Sequence, residues 1–253
     1  MKEERFFYQP DIGCGELTKE DTQHAVRVLR MTEGDELWLM DGRGGFYQAE
    51  ITVASNHRCA YRIVNELPQS RAWQGHLHLA VAPTKLNERI EWFAEKATEV
   101  GFDELSFLDC RFSERRTIKT ERIEKIVVSA MKQSHKAWKP IVNDILSFKS
   151  FVTAERKGQK FICHCYDEAD INATPQEQES KTQKPFLLDV LKVGEDATVL
   201  IGPEGDFSIE EVRLAEQAGY VPVSLGHSRL RTETAALVAV HLMQIRNEIR
   251  NKS

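Results

Sequence analysis

From His76 onward the chain alternates short apolar runs with segments whose apolar residues recur at helical spacing, and this rhythm narrows the possible folds more than any other feature. The runs "HLHLAVAP", "ELSFLDC", "KFICHCYD", "ATVLIGPEG" and "VPVSLG" are mostly continuous in their apolar residues. Strands of that kind are buried on both faces, the condition of a mainly parallel sheet covered by helices on each side. The intervening segments supply the helices. In "NERIEWFAEKATEVG", Ile90, Phe93, Ala97 and Val100 share one stripe and Gly101 is a suitable left-handed cap. "TERIEKIVVSAMKQS" repeats the pattern with Ile123, Ile126, Val127 and Ala130. In "SIEEVRLAEQAG", Ser208 and Glu211 have capping-box spacing and Gly219 ends the helix.

The first 70 residues read differently. A helix is expected near Thr18 with Ala25, Val28, Leu29 and Met31 on its apolar side, followed by the strands "DELWLMDG", "GFYQAEITVAS" and "CAYRIVNEL". Several short strands with one helix predict a small barrel-like β domain over 1–70 and an α/β domain over 76–253, with "PQSRAWQG" as linker. Residues 168–185 are polar and are expected to form a mobile surface loop. A chain of 253 residues accommodates two domains of this size. Its 41% hydrophobic and 29% charged composition is that of a soluble globular protein, with no apolar run of the roughly 18 residues a membrane span needs. The charged start does not resemble a secretory signal, and an odd cysteine count of five argues against a disulfide framework, so a cytoplasmic location is expected. Cys163 and Cys165 lack the further ligands of a metal site and are expected to be buried strand thiols; no metal is expected.

Net charge is −5, which does not suit a generic nucleic-acid coat, but its distribution is uneven. Residues 111–139 carry nine Lys or Arg against three Glu, whereas residues 1–70 carry eight against twelve acidic groups. A basic stripe on an acidic protein can bind phosphates locally; a solvated helix face of mixed charge explains the composition equally well.

The common signatures of an α/β enzyme are missing. No GxGxxG joins a strand to a helix, and GxxxxGK[ST], GxSxG and HExxH are absent. Two strand-to-helix turns remain: "LIGPEGDFS" and "SLGHSRLRTETA". Ligands of open α/β sheets bind outside the carboxyl ends of the strands, where glycines admit the backbone and helix N-termini offer free N–H groups.

These two motifs together resemble the RsmE family, the 16S rRNA uracil-N3 methyltransferases of the SPOUT class. "IEWFAEKATEVG" is similar to that family's EKATELG helix and "SAMKQSHK" to its EAAEQSGR stretch, while "HAVRVLRMTEGDELWLMDGRGG" looks like its PUA-like RNA-binding domain. The resemblance implies an N-terminal PUA-like β-barrel domain, a C-terminal SPOUT α/β domain with a deep trefoil knot, and S-adenosylmethionine as cofactor. It also implies a homodimer and a uridine in the decoding region of 16S rRNA, within the small ribosomal subunit, as target. The cofactor residues it implies are Ile201, Gly202, Pro203, Glu204 and Gly205 in the first loop, and Leu225, Gly226, Leu230 and Thr234 in the second. After the LG pair the family commonly has proline, arginine and an aliphatic residue, where this chain has His227, Ser228 and Arg229. His135 and Lys136 likewise replace the glycine and arginine of QSGR.

Uracil N3 becomes nucleophilic only when its proton leaves, so the resulting anion must be stabilised. A guanidinium, with fixed charge and a planar donor fork, suits that task, and Arg231 is the expected catalytic group. Glu233 is a candidate proton acceptor or a group that orients the arginine; a first-turn carboxylate favouring the helix dipole is the alternative. RNA contacts are expected from Arg115, Arg116, Lys136 and Arg229, and from Arg27 and Arg30 in the N-terminal domain. A non-catalytic RNA- or ribosome-binding module and a SPOUT enzyme acting on another RNA are the competing expectations.

Overall fold

The computed structural model describes residues 5–166 and 184–250, so the polar loop expected over 168–185 lies outside the described residues except for Lys184 and Pro185. The chain divides into two compact units, Met1–Ala72 with Val127–Lys139, and Trp73–Ile126 with Pro140–Ser253.

The first unit is built on a four-stranded sheet of order β1-β2-β3-β4: β1 (Phe6–Tyr8), β2 (Glu36–Met40), β3 (Phe46–Ala54) and β4 (Cys59–Glu66). β1 is parallel to β2, and the remaining pairs are antiparallel. Three residues are too short for a periodic signal, so β1 escapes the sequence. Alternation sends Phe7, Leu37, Leu39, Ala49 and Ile51 into the core with Ala25 and Met31. Phe6, Trp38 and Phe46 form an aromatic cluster, with Trp38 and Phe46 centroids 5.2 Å apart.

α1 (Lys19–Gln23) starts where expected, the Thr18 side chain accepting a hydrogen bond from the Asp21 N–H at 3.1 Å. It then widens into a π-helical turn, His24–Val28, in which the Leu29 N–H reaches the His24 carbonyl at 3.0 Å. The extra residue in that turn rotates the expected stripe: Ala25 stays buried, but Val28 is 65% exposed.

Residues 127–139 pack within this unit, which no linear reading of the chain anticipates. Trp138 lies on Gly44, where any Cβ would stand 2.4 Å from the indole. His135 has φ +54, a left-handed conformation that accounts for the glycine of the QSGR pattern. Its ring stacks on Phe6 at 3.9 Å, a contact glycine cannot make.

In the second unit six parallel strands take the order β10-β8-β9-β5-β6-β7. They are β5 (Leu77–Val81), β6 (Glu104–Asp109), β7 (Ile141–Ser147), β8 (Gln159–Cys163), β9 (Ala197–Ile201) and β10 (Val221–Val223). Their helices are α2 (Asn87–Val100), α3 (Thr120–Gln133, its second half grouped with the first unit), α4 (Phe148–Thr153), α5 (Leu187–Val190), α6 (Ile209–Gln217) and α7 (Thr232–Arg250). α4 and α6 bury Phe148, Phe151, Val212 and Ala215 with Ala80, Ile162 and Leu200 of the sheet, while α7 packs against α2 and on β5 and β9. The capping box of α6 is complete: the Ser208 hydroxyl accepts from the Glu211 N–H at 3.2 Å and the Glu211 carboxylate from the Ser208 N–H at 2.8 Å. None of the described helices is long and apolar enough to cross a membrane.

The sequence missed β7 and α4. β7 is an edge strand that leaves Ile141 54% and Leu146 45% exposed and carries Asn143 and Asp144 at its centre, which erases the apolar run. Trp73, expected in a linker, is buried, donating its indole N–H to Asp103 Oδ2 at 2.8 Å. Its ring explains Gly101: φ is +111 there, and a Cβ would lie 2.7 Å from the indole.

A buried polar network ties β5, β6 and β7 together. His78 Nε2 lies 2.8 Å from Ser106 Oγ, and Asn143 Nδ2 donates to Ser106 Oγ at 2.9 Å and to Glu104 Oε1 at 2.6 Å. His76 Nε2 is 2.7 Å from Glu104 Oε2, and His78 Nδ1 is 3.6 Å from the same oxygen. Burial pushes the His78 pKa down to about 4, only partly opposed by Glu104. Between that value and the usual His pKa of roughly 6.5, the unfolded chain holds a proton that the folded chain refuses, so stability is lost as pH falls through this window. The expected loss is on the order of 3 kcal/mol. Urea unfolding midpoints measured across the window should therefore decline with acidification, and the decline should flatten in His78→Gln.

Candidate active site at the carboxyl edge of the sheet

β9 is buried along its whole length and delivers Ile201, Gly202 and Pro203, also buried, to the carboxyl edge of the sheet. Glu204 and Gly205 then emerge into solvent, and the loop turns back through a hydrogen bond from the Asp206 N–H to the Pro203 carbonyl at 2.9 Å. At Gly205 the approach is close, since a Cβ there would stand 3.0 Å from the Phe112 Cβ. The Glu204 carboxylate accepts from the Lys85 N–H at 2.9 Å, fixing the loop that follows β5 beside this one.

The second loop leaves β10 at Ser224. The Ser224 hydroxyl accepts from the Gly226 N–H at 3.1 Å, and Gly226 has φ +121 with open space where a side chain would stand. Leu225 and Leu230 are half-buried, whereas His227, Ser228, Arg229 and Arg231 are exposed. The chain then enters α7, and the buried Thr232 hydroxyl donates to the Gly202 carbonyl at 3.1 Å. One hydrogen bond thus joins two loops that lie thirty residues apart in sequence, and it sets Arg231 and Glu233 on either side of the junction. Thr234 is half-buried one residue further along α7.

Sequence reasoning missed a third segment, His164–Tyr166. β8 lies between β10 and β9 in the sheet, so its carboxyl end is flanked by both loops. The Cys165 N–H donates to Asp206 Oδ2 at 2.8 Å, and the Tyr166 hydroxyl to the Phe207 carbonyl at 2.7 Å. Cys163 is the last residue of the strand and burial raises its thiol pKa, as expected of a buried strand cysteine, whereas Cys165 lies beyond the strand and is exposed. His164 is the buried member: burial, reinforced by the Lys184 ammonium, pushes its pKa down to about 4. Its Nε2 is buried without a hydrogen-bond partner among the described residues. Glu233 is likewise 7% exposed, with Oε1 3.7 Å from Arg89 Nε and Oε2 buried and unpartnered among the described residues. Buried polar atoms without partners are rare and costly; these two belong to segments that adjoin the glycine loops, and Arg156 Nε and the Tyr220 hydroxyl are the others among the described residues.

Comparison with known proteins identifies the family. Residues 71–244 match the RNA methyltransferase domain, and residues 17–64 match the RNA methyltransferase PUA domain. The chain belongs to this RNA methyltransferase family. A probable rRNA-methyltransferase from Porphyromonas gingivalis is 39% identical and superimposes with a TM-score of 0.87, covering 97% of this chain and 99% of that one. A methyltransferase from Legionella pneumophila, solved with bound S-adenosylmethionine, is 28% identical with a TM-score of 0.78, covering 96% and 98%. The ribosomal RNA small subunit methyltransferase E of Bacillus subtilis is 28% identical over 244 residues, 92% of this chain and 90% of that protein. The four-stranded sheet of the first unit is thus PUA-like, and the six-stranded parallel sheet is the methyltransferase domain.

The basic segment of the methyltransferase is not one free face. Arg115 donates to the carbonyls of Thr84 and Lys85 at 3.2 and 2.8 Å, Arg116 to Asp109 and the Arg111 carbonyl, and Arg122 forms a two-point pair with Glu91 at 2.5 and 2.8 Å. Lys136 is half-buried, and desolvation lowers its pKa. Arg27, Arg30 and Arg229 are exposed.

Thr232→Val removes the donor that joins the loops while keeping the shape of the side chain. It should destabilise the protein by about 1 to 2 kcal/mol through the orphaned Gly202 carbonyl. Thr232→Ser should restore most of that loss, both read from urea unfolding midpoints.

Proposed function

We propose that this protein methylates N3 of a uridine in the decoding region of 16S rRNA, using S-adenosylmethionine and acting as a homodimer on the small ribosomal subunit. The observation that carries the reading is the Thr232–Gly202 hydrogen bond, which brings "GPEG" and "LRTET" to one point on the sheet edge. Support for the cofactor comes from the Legionella pneumophila relative, which holds S-adenosylmethionine. Support for the substrate comes from the small-subunit rRNA methyltransferases this chain resembles along nearly their whole length.

The residues present fit the cofactor. Gly205 and Gly226 leave backbone exposed to a ligand, Leu225 and Leu230 offer apolar surface, and Ile201, Gly202, Pro203, Glu204 and Thr234 complete the holding set. When bound, S-adenosylmethionine supplies a methyl group on a positively charged sulfur. The chain's own residues do the remaining work. The exposed guanidinium of Arg231 meets the negative charge that develops on O2 and O4 as the N3 proton leaves, in the manner of an oxyanion hole. Glu233, beside it, accepts that proton or orients the arginine. In this reading Arg27, Arg30, Lys136 and Arg229 meet phosphates, Arg116 adds to them, and Arg115 acts mainly by shaping the Lys85 loop. A trefoil knot in the methyltransferase domain and a dimer interface along the half-buried Ala235, Leu237 and Val238 of α7 belong to the same proposal.

Arg231→Ala should lower kcat roughly 10²- to 10³-fold, the usual effect of losing one charge-stabilising donor. Its calorimetric affinity for S-adenosylmethionine should not change. Mass mapping of nucleosides in small-subunit rRNA treated with the purified protein should find one N3-methyluridine. Methylation elsewhere, or full kcat in Arg231→Ala, would overturn the assignment.

A further inference from the structure

Glu233 has a partner that the sequence did not single out. Arg89 is the third residue of α2, and its Nε lies 3.7 Å from Glu233 Oε1. A cation in the first turn of a helix opposes the helix dipole, so nothing about α2 itself favours arginine there. The helix also begins without help from a side chain, because Leu86 at its N-cap makes no capping hydrogen bond. Arg89 is one-third exposed and Glu233 9% exposed as side chains, so the pair bridges solvent and the interior at the junction of the two loops. Oε1 is paired with the guanidinium, and Oε2 is buried with no hydrogen-bond partner among the described residues. A carboxylate buried in this way, charged on one side and unmet on the other, is arranged to receive an N–H from a bound molecule.

We infer that Arg89 is a positioning residue for methyl transfer: it holds the Glu233 carboxylate so that Oε2 is presented to the imide N–H of the pyrimidine. The inference rests on the proposed uracil-N3 chemistry. The N3 proton passes to Oε2, the N3 electron pair forms the new bond to the methyl carbon, and the carbon–sulfur pair stays on the departing thioether. Glu233 then returns the proton to solvent, and Arg89 keeps its charge throughout.

The test compares Arg89→Ala, Arg89→Lys, Glu233→Gln and the Arg89→Ala/Glu233→Gln double variant, measuring kcat and KM on small subunits and the calorimetric Kd for S-adenosylmethionine. Glu233→Gln should lose about 10²-fold in kcat. Arg89→Ala should lose about tenfold, with Arg89→Lys recovering part of it, both at unchanged cofactor Kd and unchanged KM. The double variant should match Glu233→Gln within about twofold, since one residue acts through the other. Losses that multiply in the double variant, or an Arg89→Ala loss carried by KM, by Kd or by unfolding that Arg89→Lys does not repair, would return the pair to a helix-packing contact. Full kcat in Arg89→Ala beside a crippled Glu233→Gln removes Arg89 alone, whereas full kcat in Glu233→Gln removes the reading of Glu233 itself.

Discussion

Because all six strands of the second unit are parallel, every one of them ends on the same edge, and everything chemical in this protein depends on that constraint. The carboxyl ends of β8, β9 and β10 are neighbours in the sheet although their sequences are far apart. The Thr232 hydroxyl then converts proximity into a fixed geometry by holding the Gly202 carbonyl. With that bond in place, the start of α7 cannot drift from the end of β9, and Arg231 and Glu233 inherit a position that an exposed loop alone would not give them. The long apolar run of α7 serves the same end: Ala236, Ala239 and Val240 are buried, anchoring the helix whose first turn carries the charges.

Around this junction the protein tolerates polar atoms that a core would not. His164 Nε2 and Glu233 Oε2 are both buried and unmatched, and His164 is kept neutral by burial and by Lys184. Arg156 Nε and the Tyr220 hydroxyl are also buried without a partner among the described residues, whereas the network on β5, β6 and β7 is internally matched. His78, Ser106, Asn143 and Glu104 satisfy one another across three strands. The matched network shows how buried polar groups stabilise a sheet once each finds a partner.

The basic segment shows how far composition can mislead. Nine positive charges between residues 111 and 139 read as one stripe, yet the fold divides them between two units and engages several as structural donors. The first unit adds its own exposed cations at Arg27 and Arg30, where a π-helical turn and a left-handed residue reshape the expected helix.

The sequence by itself determined the parallel sheet, the helices α2, α3 and α6 with their buried stripes, and the two glycine loops, because these depend on local periodicity, capping and turn chemistry. It did not reveal β1, which is too short for a pattern, nor β7, whose edge position dilutes one. It gave no sign that Trp73 packs on Gly101, or that His135 takes a left-handed backbone and stacks on Phe6. Most of all, tertiary structure alone decided which residues meet at the sheet edge: His164 entered as a strand residue, and Arg89 was not singled out at all. Contacts between distant segments are set by strand order and loop closure, and no short window of sequence carries that information.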